Sequence, residues 1–287
     1  MPFLIWDKLP PRLPGPPKPC NLGFMTGKAR FVAGVARWLR WLGAALTLLL
    51  ALGGVALVIW ARQLSPADPA AAAALSNSDA VTVQRDEWIV FQPRAIDAST
   101  GMIFYPGGKA DPTAYAPILS RIAAAGYLVV LTPMPLNLAI LAPDRAARVI
   151  GRYPAIKRWA IAGHSLGGVL ACAFASEYRE QLAGLVLWAS YPAPMDDLSG
   201  AALPTLSIYA TRDELTRPDD IEQSRARLPV ATTYVEIKGG DHWNFGHFAI
   251  DRSTAGISRE EQQTIVLDAT LAFLRKVAPL PAPSTTM

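Results

Sequence analysis

Along residues 80–287, apolar and polar positions follow two periods in turn. Short apolar runs at 81–85 (VTVQR), 88–93 (WIVFQP), 101–108 (GMIFYPGG), 127–133 (YLVVLTP), 158–162 (RWAIA), 184–190 (GLVLWAS), 205–211 (TLSIYAT) and 232–239 (TTYVEIKG) read as strands bounded by Gly, Pro and polar residues. Between them, helical patterning spans 111–125, 143–152, 166–180 and 218–227, and 258–277 closes the chain. Asp111 before Pro112 and Ser258 three residues before Glu261 are helix-start signals, the second a capping box. Strands alternating with helices require crossover connections, so the expected fold class is α/β, a mostly parallel sheet with helices on both faces. Sites in such sheets lie beyond the carboxyl ends of the strands.

The front of the chain has neither period. Residues 41–60, WLGAALTLLLALGGVALVIW, carry no charge, and at helical rise they cover about 30 Å, the thickness of a bilayer core. A transmembrane helix is expected there, with a cleaved signal peptide and a buried core helix as the alternatives. Tryptophans stand at both ends, and Lys28, Arg30, Arg37 and Arg40 precede the run against Arg62 alone just after it. Positive flanks stay in the cytoplasm, which would place the chain beyond Arg62 in the periplasm or outside the cell. Residues 1–40 are then a cytoplasmic N-terminus, proline-dense and without period over 1–24 and basic thereafter, and a start at Met25 is the other possibility. Residues 61–79 read as a linker to a catalytic domain at 80–287.

Charge changes the picture once it is divided. The whole chain has a formal charge of +4, yet residues 1–64 hold eight Lys/Arg and one acid, leaving nineteen against twenty-two, a net of −3, for residues 65–287. The basicity belongs to the membrane flank, and no nucleic-acid footprint remains on the globular part. Of the two cysteines, Cys20 falls on the cytoplasmic side and Cys172 in the helix at 166–180, so no disulfide joins them and neither has metal-ligand company.

The chemistry centres on WAIAGHSLGGVLACAFA, residues 159–175. Gly163, His164, Ser165, Leu166 and Gly167 match G-x-S-x-G, a sharp strand-to-helix turn that holds a hydroxyl exposed, and the expected strand and helix stand on either side. A serine hydroxyl needs a general base. His164 is turned away by its place on the elbow, which leaves His242, directly past the strand at 232–239, ahead of His247 five residues later. Asp213, at the end of the preceding strand, is the acid expected to orient that base, with Asp196, Asp197 and Glu214 as rivals and Asp241 pointing elsewhere. For an oxyanion hole the candidate donors are the N–H groups of Leu166 and of Gly108, then Gly107, in YPGGKAD. Met134, Tyr191 and Trp243 come after strand ends and are candidate acyl-pocket residues.

Together GHSLGG at 163–168, YPGG at 105–108, Asp213 and His242 resemble the α/β-hydrolase superfamily over about residues 81–278, nearest to the small uncapped dienelactone-hydrolase-like and carboxylesterase branch. The dienelactone hydrolases carry a cysteine where this chain has Ser165, so the resemblance implies ordinary ester chemistry through an acyl-enzyme. It implies a small-molecule ester substrate and no metal or organic cofactor. Only about fourteen residues separate Ser190 from Thr205, where many relatives insert a lid, so an open cleft is expected. An acyltransferase or peptidase with the same triad, and an inactive membrane-tethered binding protein, are the competing readings.

Overall fold

The structure, a computed structural model, describes residues 15, 23–95, 98–137, 139–142, 144–249 and 252–280. The expected disorder at 1–24 therefore falls almost wholly outside the described residues, as do Cys20 and Pro143. Two compact units, Met1–Ala56 and Leu57–Met287, make up the chain.

Helix α1, Gly23–Arg62, begins well before the apolar run and takes in residues 23–40, expected only as a basic flank. Nothing in that flank after Gly23 breaks a helix, since it contains no proline. Residues Arg30–Arg62 are, among the described residues, the one segment long and apolar enough to cross a membrane, and none of its most apolar window is buried. Trp41 and Leu49 are 71% and 68% exposed.

The second unit is built on eight strands: β1 (Val81–Arg85), β2 (Ile89–Pro93), β3 (Thr100–Tyr105), β4 (Leu128–Leu131), β5 (Arg158–His164), β6 (Leu182–Trp188), β7 (Thr205–Ala210) and β8 (Thr233–Ile237). They form one sheet in the order β1-β2-β4-β3-β5-β6-β7-β8. β1 with β2 and β2 with β4 pair antiparallel; every later pair is parallel. The apolar runs are continuous because both sheet faces are covered. Met102 and Phe104 of β3 enter one core, while Ile103 and Tyr105 enter the other.

Helices α3 (Ala116–Ala124) and α7 (Arg259–Val277) supply the first core, and α4 (Arg145–Arg152) and α5 (Leu166–Tyr178) the second. The helix expected at 111–125 starts as a 3-10 turn, Pro112–Tyr115, capped by the Asp111 carboxylate accepting from Thr113 N–H at 2.9 Å. Likewise α6 (Pro218–Ser224) tightens into a 3-10 turn, Arg225–Arg227, in place of running on as one α-helix. Ser258 caps α7 by accepting from Glu261 N–H at 3.1 Å. Cys172 lies fully buried in the second core, where burial pushes its thiol pKa far up, so it serves as a small apolar residue.

The linker expected at 61–79 is not a free connector. Helix α2, Pro69–Ala73, opens within it under an Asp68 cap, and Ser65 and Ala67 form bridges to Ala110 and Phe248. A Pro/Ala-rich composition resembles a spacer, but its backbone groups have found partners on the domain.

Candidate active site

Ser165 sits between β5 and α5 with φ 51° and ψ −127°, a left-handed conformation that a residue with a Cβ adopts at a cost of about 1–3 kcal/mol. Its surroundings enforce it. Ser165 N–H donates to Trp188 O at 3.0 Å, and its carbonyl accepts from Gly168 N–H at 2.9 Å and from the Ser190 hydroxyl at 2.7 Å. The glycines permit the crossing: a Cβ on Gly163 would stand 2.4 Å from the Gly167 carbonyl carbon, and one on Gly167 would stand 2.2 Å from Tyr105 O.

His242 and Asp213 arrive from the ends of β8 and β7. His242 Nδ1 and Asp213 Oδ2 are 2.8 Å apart, with side chains 6% and 0% exposed. The other carboxylate oxygen of Asp213 accepts from the N–H groups of Leu215 (2.8 Å) and Thr216 (2.7 Å), which fix its direction. Because a carboxylate only accepts, the proton of this pair sits on Nδ1 and leaves Nε2 with its lone pair. Ser165 and His242 line the same cavity of about 210 Å³. Of the rival acids, Asp197 accepts from Ser199 N–H at 2.9 Å; Asp241, expected to point elsewhere, takes the N–H groups of Trp243, Asn244 and Thr254.

His164 is buried beside this pair, its ring 4.5 Å from that of His242. Burial, and then the charge of His242, hold its pKa well below the ordinary histidine range, so it remains neutral. Its Nδ1 meets the Tyr115 hydroxyl at 2.8 Å, and the same hydroxyl accepts Gly107 N–H at 3.2 Å. That bond occupies Gly107, the second candidate donor. Gly108 differs: neither its N–H nor that of Leu166 donates to another group among the described residues. The two residues are adjacent, since a Cβ on Gly108 would stand 2.9 Å from Leu166 Cδ2.

Of the three candidate acyl-pocket residues only Trp243 lines the cavity. Met134 is turned into the second core, and Tyr191 lies off the cavity. Strand ends fan out along the sheet, so a place just after one does not bring a residue to the cleft. The stretch 191–204 holds neither helix nor strand, and nothing from it lines the cavity. Instead Gln63, Leu64 and Ser65, with Lys109, Phe248 and Arg252, complete the wall. Sequence reasoning missed these and Tyr115. Lys109 had a local signal, next to Gly108; Tyr115 and residues 63–65 had none, because their partners are distant in the chain. Among the described residues no group of three His, Cys, Asp or Glu is placed to hold a metal ion.

A model of the alpha/beta hydrolase family matches residues 101–264. No curated protein sequence matches the chain. Among solved structures, Thermogutta terrifontis esterase 2 phosphonylated by sarin is similar at a TM-score of 0.54 and 14% identity, over 72% of this chain and 98% of that one. The butyrate-bound form of that thermophilic esterase gives 0.51 at 15% identity over 72% and 97%. TT1662 from Thermus thermophilus gives 0.50 at 15% identity over 68% and 97%. At such identities the likeness is one of fold alone. The family match spans more than half of the sequence and contains the strands that lead to the cleft, and so the chain belongs to the alpha/beta hydrolase family.

Proposed function

We propose that the protein is a membrane-anchored serine hydrolase of small carboxylic esters. Ser165 Oγ attacks the ester carbonyl carbon while its proton passes to His242 Nε2, and the carbonyl oxygen, now an oxyanion, rests on the Leu166 and Gly108 N–H groups. Collapse of the adduct expels the alcohol, which takes the proton from His242, and water repeats the sequence on the acyl-enzyme. Asp213 keeps the imidazole in the required tautomer and stabilises the imidazolium. His164, neutral against His242, adds no positive charge to oppose that protonation.

The observation that carries this reading is the strained Ser165 at the end of a central parallel strand, opening into one cavity with a buried histidine whose other nitrogen is held by Asp213. The esterase of the same fold supports the substrate class. Helix α1 is read as a single span with its basic end in the cytoplasm. Gln63, Leu64 and Ser65, which follow α1 directly in the chain, line the cavity.

The test is fluorophosphonate labelling of the full-length protein in detergent beside Ser165→Ala and His242→Ala. Labelling lost in both variants, with hydrolysis of p-nitrophenyl butyrate, supports the reading; a folded protein that is not labelled refutes it. For topology, protease added to spheroplasts of an expressing bacterium should digest the domain, and protection would reverse the orientation.

A further inference from the structure

We infer that residues 60–68 are a positioning element of the active site, a staple joining the loop that carries Gly108 to the loop just past His242. The inference rests on the hydrolase reading above and adds a role for a segment whose composition suggests only a spacer.

On one side the staple holds the loop of Gly108. Ser65 N–H donates to Lys109 O at 2.9 Å, and Ser65 O accepts from Asp111 N–H at 3.0 Å. The Lys109 ammonium lies 4.3 Å from the centroid of the Trp60 ring, a cation–π contact. Lys109 needs such support because it has a φ of 55°, a conformation unfavourable for a residue with a Cβ. With Gly107 N–H held by Tyr115 and Lys109 N–H by Asn137 O at 3.1 Å, the peptide of Gly108 is fixed from both neighbours.

On the other side the staple holds the loop past His242. Pro66 O accepts from Ala249 N–H at 2.8 Å, and Asp68 N–H donates to His247 O at 2.9 Å. The Asp68 carboxylate takes Arg259 Nη1 at 2.6 Å and His247 Nδ1 at 3.2 Å. Phe248, bridged to Ala67, packs edge-on against Trp243 and Tyr115, and all three of those aromatic rings line the cavity. Residues 63–65 are themselves cavity wall.

An oxyanion donor acts only within a few tenths of an ångström of its proper place, and a misplacement of about 1 Å costs about 100-fold in rate. A segment that fixes the donor loop against the histidine loop therefore acts on kcat, through Gly108, without touching the reacting atoms.

The test uses the full-length protein in detergent, with p-nitrophenyl butyrate turnover and the rate of fluorophosphonate labelling as readouts. Ser65→Pro removes the N–H that holds Lys109 O and should lower kcat about tenfold, with KM changed by less than about threefold. Trp60→Ala should give a smaller fall of about threefold, and Trp60→Phe, which restores a ring under the ammonium, should recover most of it. Trp60 lies outside the buried core, so its variants give a second measurement should Ser65→Pro not fold. Trp60→Ala and Ser65→Pro with parental kcat and labelling rate, or with loss of melting temperature alone, would overturn the inference while leaving the hydrolase reading intact. An unsubstituted protein that is not labelled would instead remove both.

Discussion

Two histidine–aspartate pairs stand close in the same part of this molecule, and they do different things. His242 and Asp213 are 2.8 Å apart with both side chains nearly sealed from solvent; His247 and Asp68 are 3.2 Å apart with side chains 19% and 17% exposed. His242 has Nδ1 on its acid and lines a cavity that Ser165 also lines. His247 has both nitrogens committed, Nδ1 to Asp68 and Nε2 to Gln263 Oε1 at 3.1 Å. A base needs one uncommitted lone pair, whereas a tether needs none. The comparison teaches that the motif of an imidazole beside a carboxylate is neutral as to function, and that the fate of the second nitrogen decides it.

The comparison can be broken most directly by exchanging the losses. His242→Ala should cut ester hydrolysis by at least about 1,000-fold, while His247→Ala should stay within about threefold of the parent, measured as kcat/KM on p-nitrophenyl butyrate. Equal losses would erase the distinction. Asp213→Asn should track His242→Ala closely, about 1,000-fold down, because the amide supports the wrong tautomer; Asp68→Asn should cost about tenfold or less.

Ser165→Gly separates chemistry from strain. Activity should vanish, yet the glycine relaxes the φ of 51°, and thermal melting should rise by about 2–4 °C, for about 1 kcal/mol. A fall in melting temperature would mean that the elbow is not strained. His247→Ala should move melting the other way by a similar amount, about 1 kcal/mol, since it removes two partly buried hydrogen bonds.

The smallest effect concerns acid. Burial alone would raise the pKa of Asp68, but hydrogen bonds from Ala71 N–H, His247 and Arg259 hold it below the ordinary carboxylate value. A lowered folded-state pKa means that this carboxylate contributes stability above its unfolded-state value, and the contribution is lost as the pH falls through the lowered one. Asp68→Asn should therefore be less stable than the parent at neutral pH and lose less stability on acidification. Parallel pH profiles for the two would contradict the tether.

Much of this was legible in the chain. The strands were readable because a doubly covered sheet demands uninterrupted apolar runs such as YLVVLTP, and the turn at 163–168 because only small residues survive where β5 and α5 nearly touch. The same reading put Asp213 and His242 just past the apolar runs at 205–211 and 232–239, and β7 and β8 do end shortly before them. It failed for Met134 and Tyr191, where position after a strand does not say which way a side chain leaves the sheet, and for residues 61–79, where composition concealed a docked segment.

What the sequence determined by itself was periodic or local: the α/β alternation, the long apolar helix, the elbow, the division of charge. These depend on interactions within a few residues, which a linear pattern records. Only the tertiary structure decided that Gly107 N–H is taken by Tyr115, that His247 has partners at both ring nitrogens, and that residues 63–65 wall the cavity. Tyr115 reaches His164 across forty-nine positions, and Asp68 reaches His247 across one hundred and seventy-nine. Hydrogen bonds at such separations are made by the packing of the sheet and leave no trace in local composition.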